Sequence, residues 1–224
     1  MIINLLPVNI NLNINLIYSF RNETPIKKAF SFGKLSSDNL FRFAQENEIL
    51  SYLLECYHRE MVNFLKLKKN KVRCNLMLLV EKNGDLGLKI CITNRAARYW
   101  HCEIEYMWPK GRGCCGSAWA NKELRIFNNQ LFIESGKLYD DCFKDIHWVI
   151  SIPIFSPLKK GLKFFGVLNT DTLSNCRILS NIVSDIVSDK ILQISNKILQ
   201  ISKTYAIIFR YLCESLNLFY IIER

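Results

Sequence analysis

No Cys-x-x-Cys pair occurs anywhere in this chain, so the spacing that announces a structural zinc site is missing. A metal set drawn from His101, Cys102, Cys114, Cys115 and His147 is therefore not expected, and no cofactor is expected either. The nine cysteines are an odd number. That excludes a simple secreted disulfide framework and points to reduced thiols and a cytoplasmic protein. No run of about 20 apolar residues is free of interruption, as a membrane-spanning helix requires: Asn4, Asn9, Asn11, Asn13 and Asn15 break up the first twenty, and amides in hydrocarbon are costly. A basic segment leading to a small-residue cleavage site is absent as well. The formal charge of +10 is scattered, apart from Lys66, Lys68, Lys69, Lys71 and Arg73. That cluster reads as a solvated helix end leading into a loop, not as a phosphate-binding patch. Neither nucleic acid nor membrane is expected as a partner.

Half of the residues are apolar, enough to bury a core. Residues 1–37 are a poorly specified tail, whose alternation from Val8 to Leu16 suits an edge strand. From Asp38, a plausible N-cap, apolar residues at Leu40, Phe43, Leu50, Leu54, Tyr57, Met61 and Phe64 follow a three-four alternation broken only by Asn47. This predicts a helix with a narrow apolar stripe. Cys74–Val80 reads as a buried strand, Asn83-Gly84 as a hairpin turn, and Leu86–Thr93 as the partner strand. Residues 95–121 hold Trp100, Trp108 and Trp119 among Gly111, Gly113 and Gly116. A short strand at Leu124–Phe127 follows, then a loop or short helix at Ser135–Asp145. Strands at His147–Phe155 and Lys163–Thr170 close the sheet, with a turn over 156–161. Last, Val187, Ile191, Ile194, Ile198, Ile201, Tyr205, Ile208 and Leu212 step by four and three, a heptad seam on a long helix. Strands bracketed by helices predict an α+β fold with an antiparallel sheet.

Three segments carry a resemblance: Gly111-Arg112-Gly113-Cys114-Cys115-Gly116-Ser117-Ala118, then Ile150-Ser151-Ile152-Pro153-Ile154, then Gly166-Val167-Leu168-Asn169. In that order they resemble the GAF family pattern of a "G-x-G-x-x-G-x-A" segment, a "hydrophobic-x-Pro-hydrophobic" strand and a "G-V-L" strand. The resemblance spans about residues 38–203 and leaves 204–224 as a C-terminal helix extension. It implies a GAF-like (PAS-related) antiparallel sheet with flanking N- and C-terminal helices. It also implies a small-molecule pocket between the sheet and the glycine-rich layer, with ligand state passed on through the helices. No kinase, cyclase, phosphodiesterase or helix-turn-helix pattern is present, so the expectation is either a separate output protein or an autonomous or decayed module. The Asn-Lys-X-Asp-Glu pattern of cyclic-nucleotide binders is missing, and Cys142 lacks the histidine that neighbours a bilin-bearing cysteine.

One enzymatic branch, the free methionine-R-sulfoxide reductases, is matched in part. Cys115 stands where their first pocket cysteine does, and Cys142 lies eleven residues before Pro153, as their catalytic cysteine does. Asp171 also matches. Phe143, Val149 and Asn169 replace three of their carboxylates, and Asp140 and Asp141 would raise the pKa of Cys142. The resemblance therefore favours a non-catalytic sensor over a thiol reductase, with a filled-pocket interaction module as the third possibility. Trp108, Cys115, Trp119, Tyr139, Ser151 and Asp171 are expected to line one cavity; were the chain enzymatic, Cys142 and Cys115 would carry the chemistry. Homodimerisation is expected through 40–64 and 187–212, although both stripes would also suit packing on the sheet.

Overall fold

Asn47 begins the first helix described in the computed structural model, whose description covers residues 47–82, 84–95, 97–128, 143–158, 161–184, 196–197, 200–201 and 204–210. These residues belong to the unit Ser36–Arg224. The Asn47 side-chain oxygen accepts hydrogen bonds from the backbone N–H groups of Ile49 and Leu50 at 3.1 and 3.0 Å. The one polar residue in the predicted stripe is thus the N-cap, and the helix, α1, runs Glu48–Leu65. Asp38 lies outside the described residues. Leu50, Leu54, Tyr57 and Met61 are fully buried, and α1 packs on the sheet of its own chain. The described part of the predicted seam over 40–64 is therefore used inside the chain.

After a short 3-10 turn at Lys69–Lys71 come β1 (Val72–Lys82) and β2 (Asp85–Thr93). They are joined at Gly84, whose positive φ of 87° suits the tight hairpin turn. Helix α2 (His101–Glu105) and helix α3 (Gly113–Asn121) form the glycine-aromatic layer. Strand β3 (Arg125–Asn128) follows, then β4 (Trp148–Leu158), β5 (Gly161–Thr172) and α4 (Arg177–Ser184). Both closing strands outrun the sequence expectation, since their pairing extends to Leu158 and Gly161. The five strands form one sheet in the order β2-β1-β5-β4-β3, with every pairing antiparallel. This is the α+β architecture that the sequence predicts, an antiparallel sheet flanked by N- and C-terminal helices.

Alternation along the strands assigns two faces. Cys74, Leu76, Ile150, Leu168 and Thr170 share the face toward α1, where the Thr170 hydroxyl donates to the Tyr57 hydroxyl at 2.9 Å. Met77, Leu79, Leu88, Ile90, Val167 and Cys115 form a second apolar cluster on the other face, with Trp108, Trp119 and Phe164 packed against it. Pro153 lies within β4, beyond the stretch paired with β3, which ends at Ser151, and next to an irregularity at Ile154/Phe155. That is a local edge, where a missing N–H costs no ladder bond. Most of the predicted C-terminal seam lies outside the described residues. Within helical residues 204–210 the buried side chains are Ala206 and Phe209, while the predicted seam residues Tyr205 and Ile208 are half-buried. Tyr205 packs against Tyr57 at 5.2 Å between ring centroids.

Candidate functional site

The register of three strands sets polar side chains opposite one another on a buried face. Arg73 pairs with Asp171, and Asn75 with Asn169; Asp171 pairs in turn with Val149, and Asn169 with Ser151. All of these except Val149 are polar, and each of the five polar residues is buried. Side chains of this kind belong on a buried face only when they bond one another. Here they do. The Ser151 hydroxyl donates to the Asn169 side-chain oxygen at 2.6 Å, Asn169 Nδ2 to Asn75 Oδ1 at 3.3 Å, and Asn75 Nδ2 to the Tyr99 hydroxyl at 3.2 Å.

Arg73 organises the far end of this ladder. Its Nη1 and Nη2 donate to the two carboxylate oxygens of Glu103 at 3.0 and 2.7 Å. Nη2 also donates to Asp171 Oδ2 at 3.1 Å, and Nη1 to the Arg98 carbonyl at 3.1 Å. Its guanidinium carbon sits 4.2 Å from the centre of the Tyr99 ring. Glu103 is fixed from its own helix too, since it accepts from the backbone N–H of Trp100 at 2.7 Å. Arg73 is only 3% exposed, which corrects its assignment to a solvated basic cluster. The lysines at 68, 69 and 71 in that cluster are not buried.

One cation thus serves two carboxylates. Burial pushes the Asp171 carboxyl up to about 6, against the downward pull of Arg73 and with a further upward push from Glu103. Asp171 belongs to the buried ladder within β5.

The glycine-rich segment closes over this wall. Trp108 is tied to β2 by a bonded pair with Leu88, at 2.8 and 2.9 Å. Gly113 adopts φ +64°, and a Cβ there would lie 2.5 Å from the Trp108 ring. At Gly116 a Cβ would lie 2.3 Å from the Pro109 carbonyl oxygen. The two glycines thus let the start of α3 lie flat against the Trp108–Gly111 turn. Phe143 closes the side, with its ring 5.1 Å from Trp108 and 5.7 Å from Tyr106.

Between wall and cover lies a cavity of about 60 Å³. Its polar lining is Asn75, Tyr99, Glu103, Asn169 and Asp171, and its apolar lining includes Trp108, Cys115, Phe127, Phe143 and Val149. Of the expected residues, Trp108, Cys115 and Asp171 line this cavity. Two expected residues do not line it. Trp119 is stacked on Phe164 at 5.3 Å, with ring planes 6° apart, on the apolar side of the same face. Ser151 acts one step back, by orienting Asn169. Tyr139 and Cys142 lie outside the described residues. Asn75, Tyr99, Glu103 and Asn169 are the polar lining residues that sequence reasoning did not place in the site. The sequence signal was the alternation Val72-Arg73-Cys74-Asn75-Leu76, easily taken for a solvated strand face.

The Cys114 and Cys115 thiols on α3 are held protonated at neutral pH. Burial drives Cys115 well above its ordinary value, with the neighbouring Cys114 adding to the effect. Burial likewise pushes Cys114 up to about 12. A thiol of this kind is a poor nucleophile. Among the described residues no cluster of three or more His, Cys, Asp or Glu side chains could hold a metal ion, and no helix is long and apolar enough to cross a membrane.

No family model matches the chain, and no curated protein matches it. Solved structures do match it. The GAF domain region of a Geobacter sulfurreducens PCA protein is 16% identical, with a TM-score of 0.41, and the match covers 77% of this chain and 97% of that one. A hypothetical protein from S. aureus is 14% identical, with a TM-score of 0.38, covering 55% of this chain and 90% of that one. An NreA protein from Staphylococcus aureus, mutated in its nitrate binding site, is 12% identical with a TM-score of 0.38; the match covers 62% of this chain and 96% of that one.

Proposed function

We propose that this chain is a non-catalytic GAF-type module that senses a small molecule. The observation that carries the reading is the buried polar ladder of Arg73, Asn75, Ser151, Asn169 and Asp171, whose inner side opens on a cavity. A buried face needs no such groups for stability, because well-packed apolar residues of similar volume often serve as well or better. A cavity lined by a few convergent polar groups within an aromatic cover is the usual form of a ligand site. The raised pKa of Cys115 favours this reading over a thiol reductase. Signalling would pass through the helices that flank the sheet, in a cytoplasmic homodimer acting on a separate output protein. Tyr52 on α1 and Ile207 at the other end of the chain, 53% and 48% exposed, are side chains that a partner copy could cover.

Native mass spectrometry of the protein purified without denaturant tests the pocket, and light scattering of the same sample tests the dimer. A co-purifying small molecule lost on Asn169→Leu substitution is expected, with twice the chain mass in solution. A ligand-free protein, together with unchanged or higher stability for Asn169→Leu, would favour an interaction module with a filled pocket.

A further inference from the structure

We propose that the cavity takes a small organic cation presenting N–H donors, an ammonium or amidinium group with no carboxylate attached. The proposal rests on the small-molecule reading above and adds the chemical class of the ligand. Three observations carry it.

The first is charge. Glu103 and Asp171 line the cavity, and no lysine, arginine or histidine is among its described lining residues. Arg73, the nearby cation, stands outside that lining with both terminal nitrogens engaged by Glu103, Asp171 and the Arg98 carbonyl. Its Nε is buried. An anion entering the cavity would meet two carboxylates and no cation among the described lining residues, whereas a cation would restore a balance of two charges of each sign.

The second is an open acceptor. Asp171 Oδ2 accepts from Arg73, but among the described residues no donor reaches Oδ1, although Asp171 is only 5% exposed and lines the cavity. Oδ1 is thus left to the cavity, and charge-assisted bonds to a carboxylate oxygen in such a place are strong. A ligand N–H supplies what is missing. Glu103 comes from α2, outside the three segments that carry the sequence resemblance, so the second negative charge is a feature of this chain's own glycine-aromatic layer.

The third is size and cover. A cavity of about 60 Å³ compares with ~150 Å³ for one that holds benzene, which leaves room for about two or three heavy atoms. Trp108, Phe127 and Phe143 supply aromatic walls of the kind that attract a desolvated cation. An amino acid zwitterion fits poorly, because its carboxylate would find no cationic partner.

Formamidinium, formamide and formate share one three-atom planar shape and differ in charge. Each is titrated into the full-length protein by calorimetry, with tryptophan fluorescence as a second signal from Trp108. Formamidinium should bind, with formamide weaker by about tenfold and formate silent. Asp171→Asn should cost formamidinium about tenfold or more while leaving formamide nearly unchanged. Formate or formamide binding as tightly as formamidinium would overturn the cation proposal and leave the small-molecule pocket standing. A protein that responds to none of the three, and carries no ligand in native mass spectrometry, would overturn both.

Discussion

Replacing Asp171 with asparagine separates the cost of a buried charge from the benefit of its ion pair. The carboxyl is raised from an ordinary 3.8 to about 6 because burial outweighs the pull of Arg73, whose single charge also serves Glu103. Below both values the folded and unfolded chains each hold the proton, and Asp171 contributes no pH dependence. Between them the folded chain keeps a proton that the unfolded chain has released, so stability falls as pH rises through this window. The full cost is present above about pH 7. Each tenfold change in proton affinity is worth ~1.4 kcal/mol, so a change of roughly two powers of ten amounts to about 3 kcal/mol. The asparagine side chain would not titrate, and its oxygen could still accept from Arg73. Urea unfolding of both proteins from about pH 4 to about pH 8 should therefore show the Asp171→Asn variant gaining about 3 kcal/mol on the wild type as pH increases. Other carboxylates cancel in this comparison. Parallel profiles would refute the reasoning. So would a wild type that gains on the variant with rising pH, since Arg73 would then be holding the carboxyl below its ordinary range.

Two further outcomes follow from the packing. Gly166→Ala should destabilise the fold by about 1–3 kcal/mol or more, because the new Cβ would lie 2.0 Å from the Met77 carbonyl oxygen on the neighbouring strand; a urea midpoint equal to that of wild type would contradict the close approach of β1 and β5. In thiol labelling of the native protein at neutral pH, Cys102, which is exposed, should react well before Cys74, Cys114 and Cys115, which are buried. Mass mapping that finds Cys115 modified first would reopen the reductase reading.

The sheet and its helices were legible because they obey simple periods. Leu50, Leu54, Tyr57 and Met61 repeat as a helix face, and the segments that became β1, β2, β4 and β5 are apolar runs bounded by turns. The three glycines were legible as a motif, and the structure supplies separate steric reasons for Gly113 and Gly116. The site was only half legible. Trp108, Cys115 and Asp171 came from the resemblance, whereas Glu103 and Tyr99 sit in an irregular segment where no period predicts which side chain turns inward. Arg73 was misjudged because its sequence neighbours are exposed lysines. What buries it is the partner strand β5, about a hundred residues later, and composition around a residue carries no trace of such a partner. Asn47 was read as an interruption of a longer helix because its capping role depends on where that helix starts.

The polar ladder has a consequence for how the chain finds its fold. Register is set by which face of a strand is apolar, and a strand whose two faces are alike is held less firmly by that pattern. Here a slip of β5 by one residue would turn Asn169 and Asp171 toward α1, against Tyr57 and Met61. A slip by two would keep the face but set Arg73 opposite Asn169 and strand Asp171 without a cation. Either error would leave unpaired buried groups at several kcal/mol apiece. The residues that make the cavity chemically distinctive therefore also act as the alignment key of the central strand pair, and substitutions that loosen ligand selectivity should broaden the set of structures that the chain adopts.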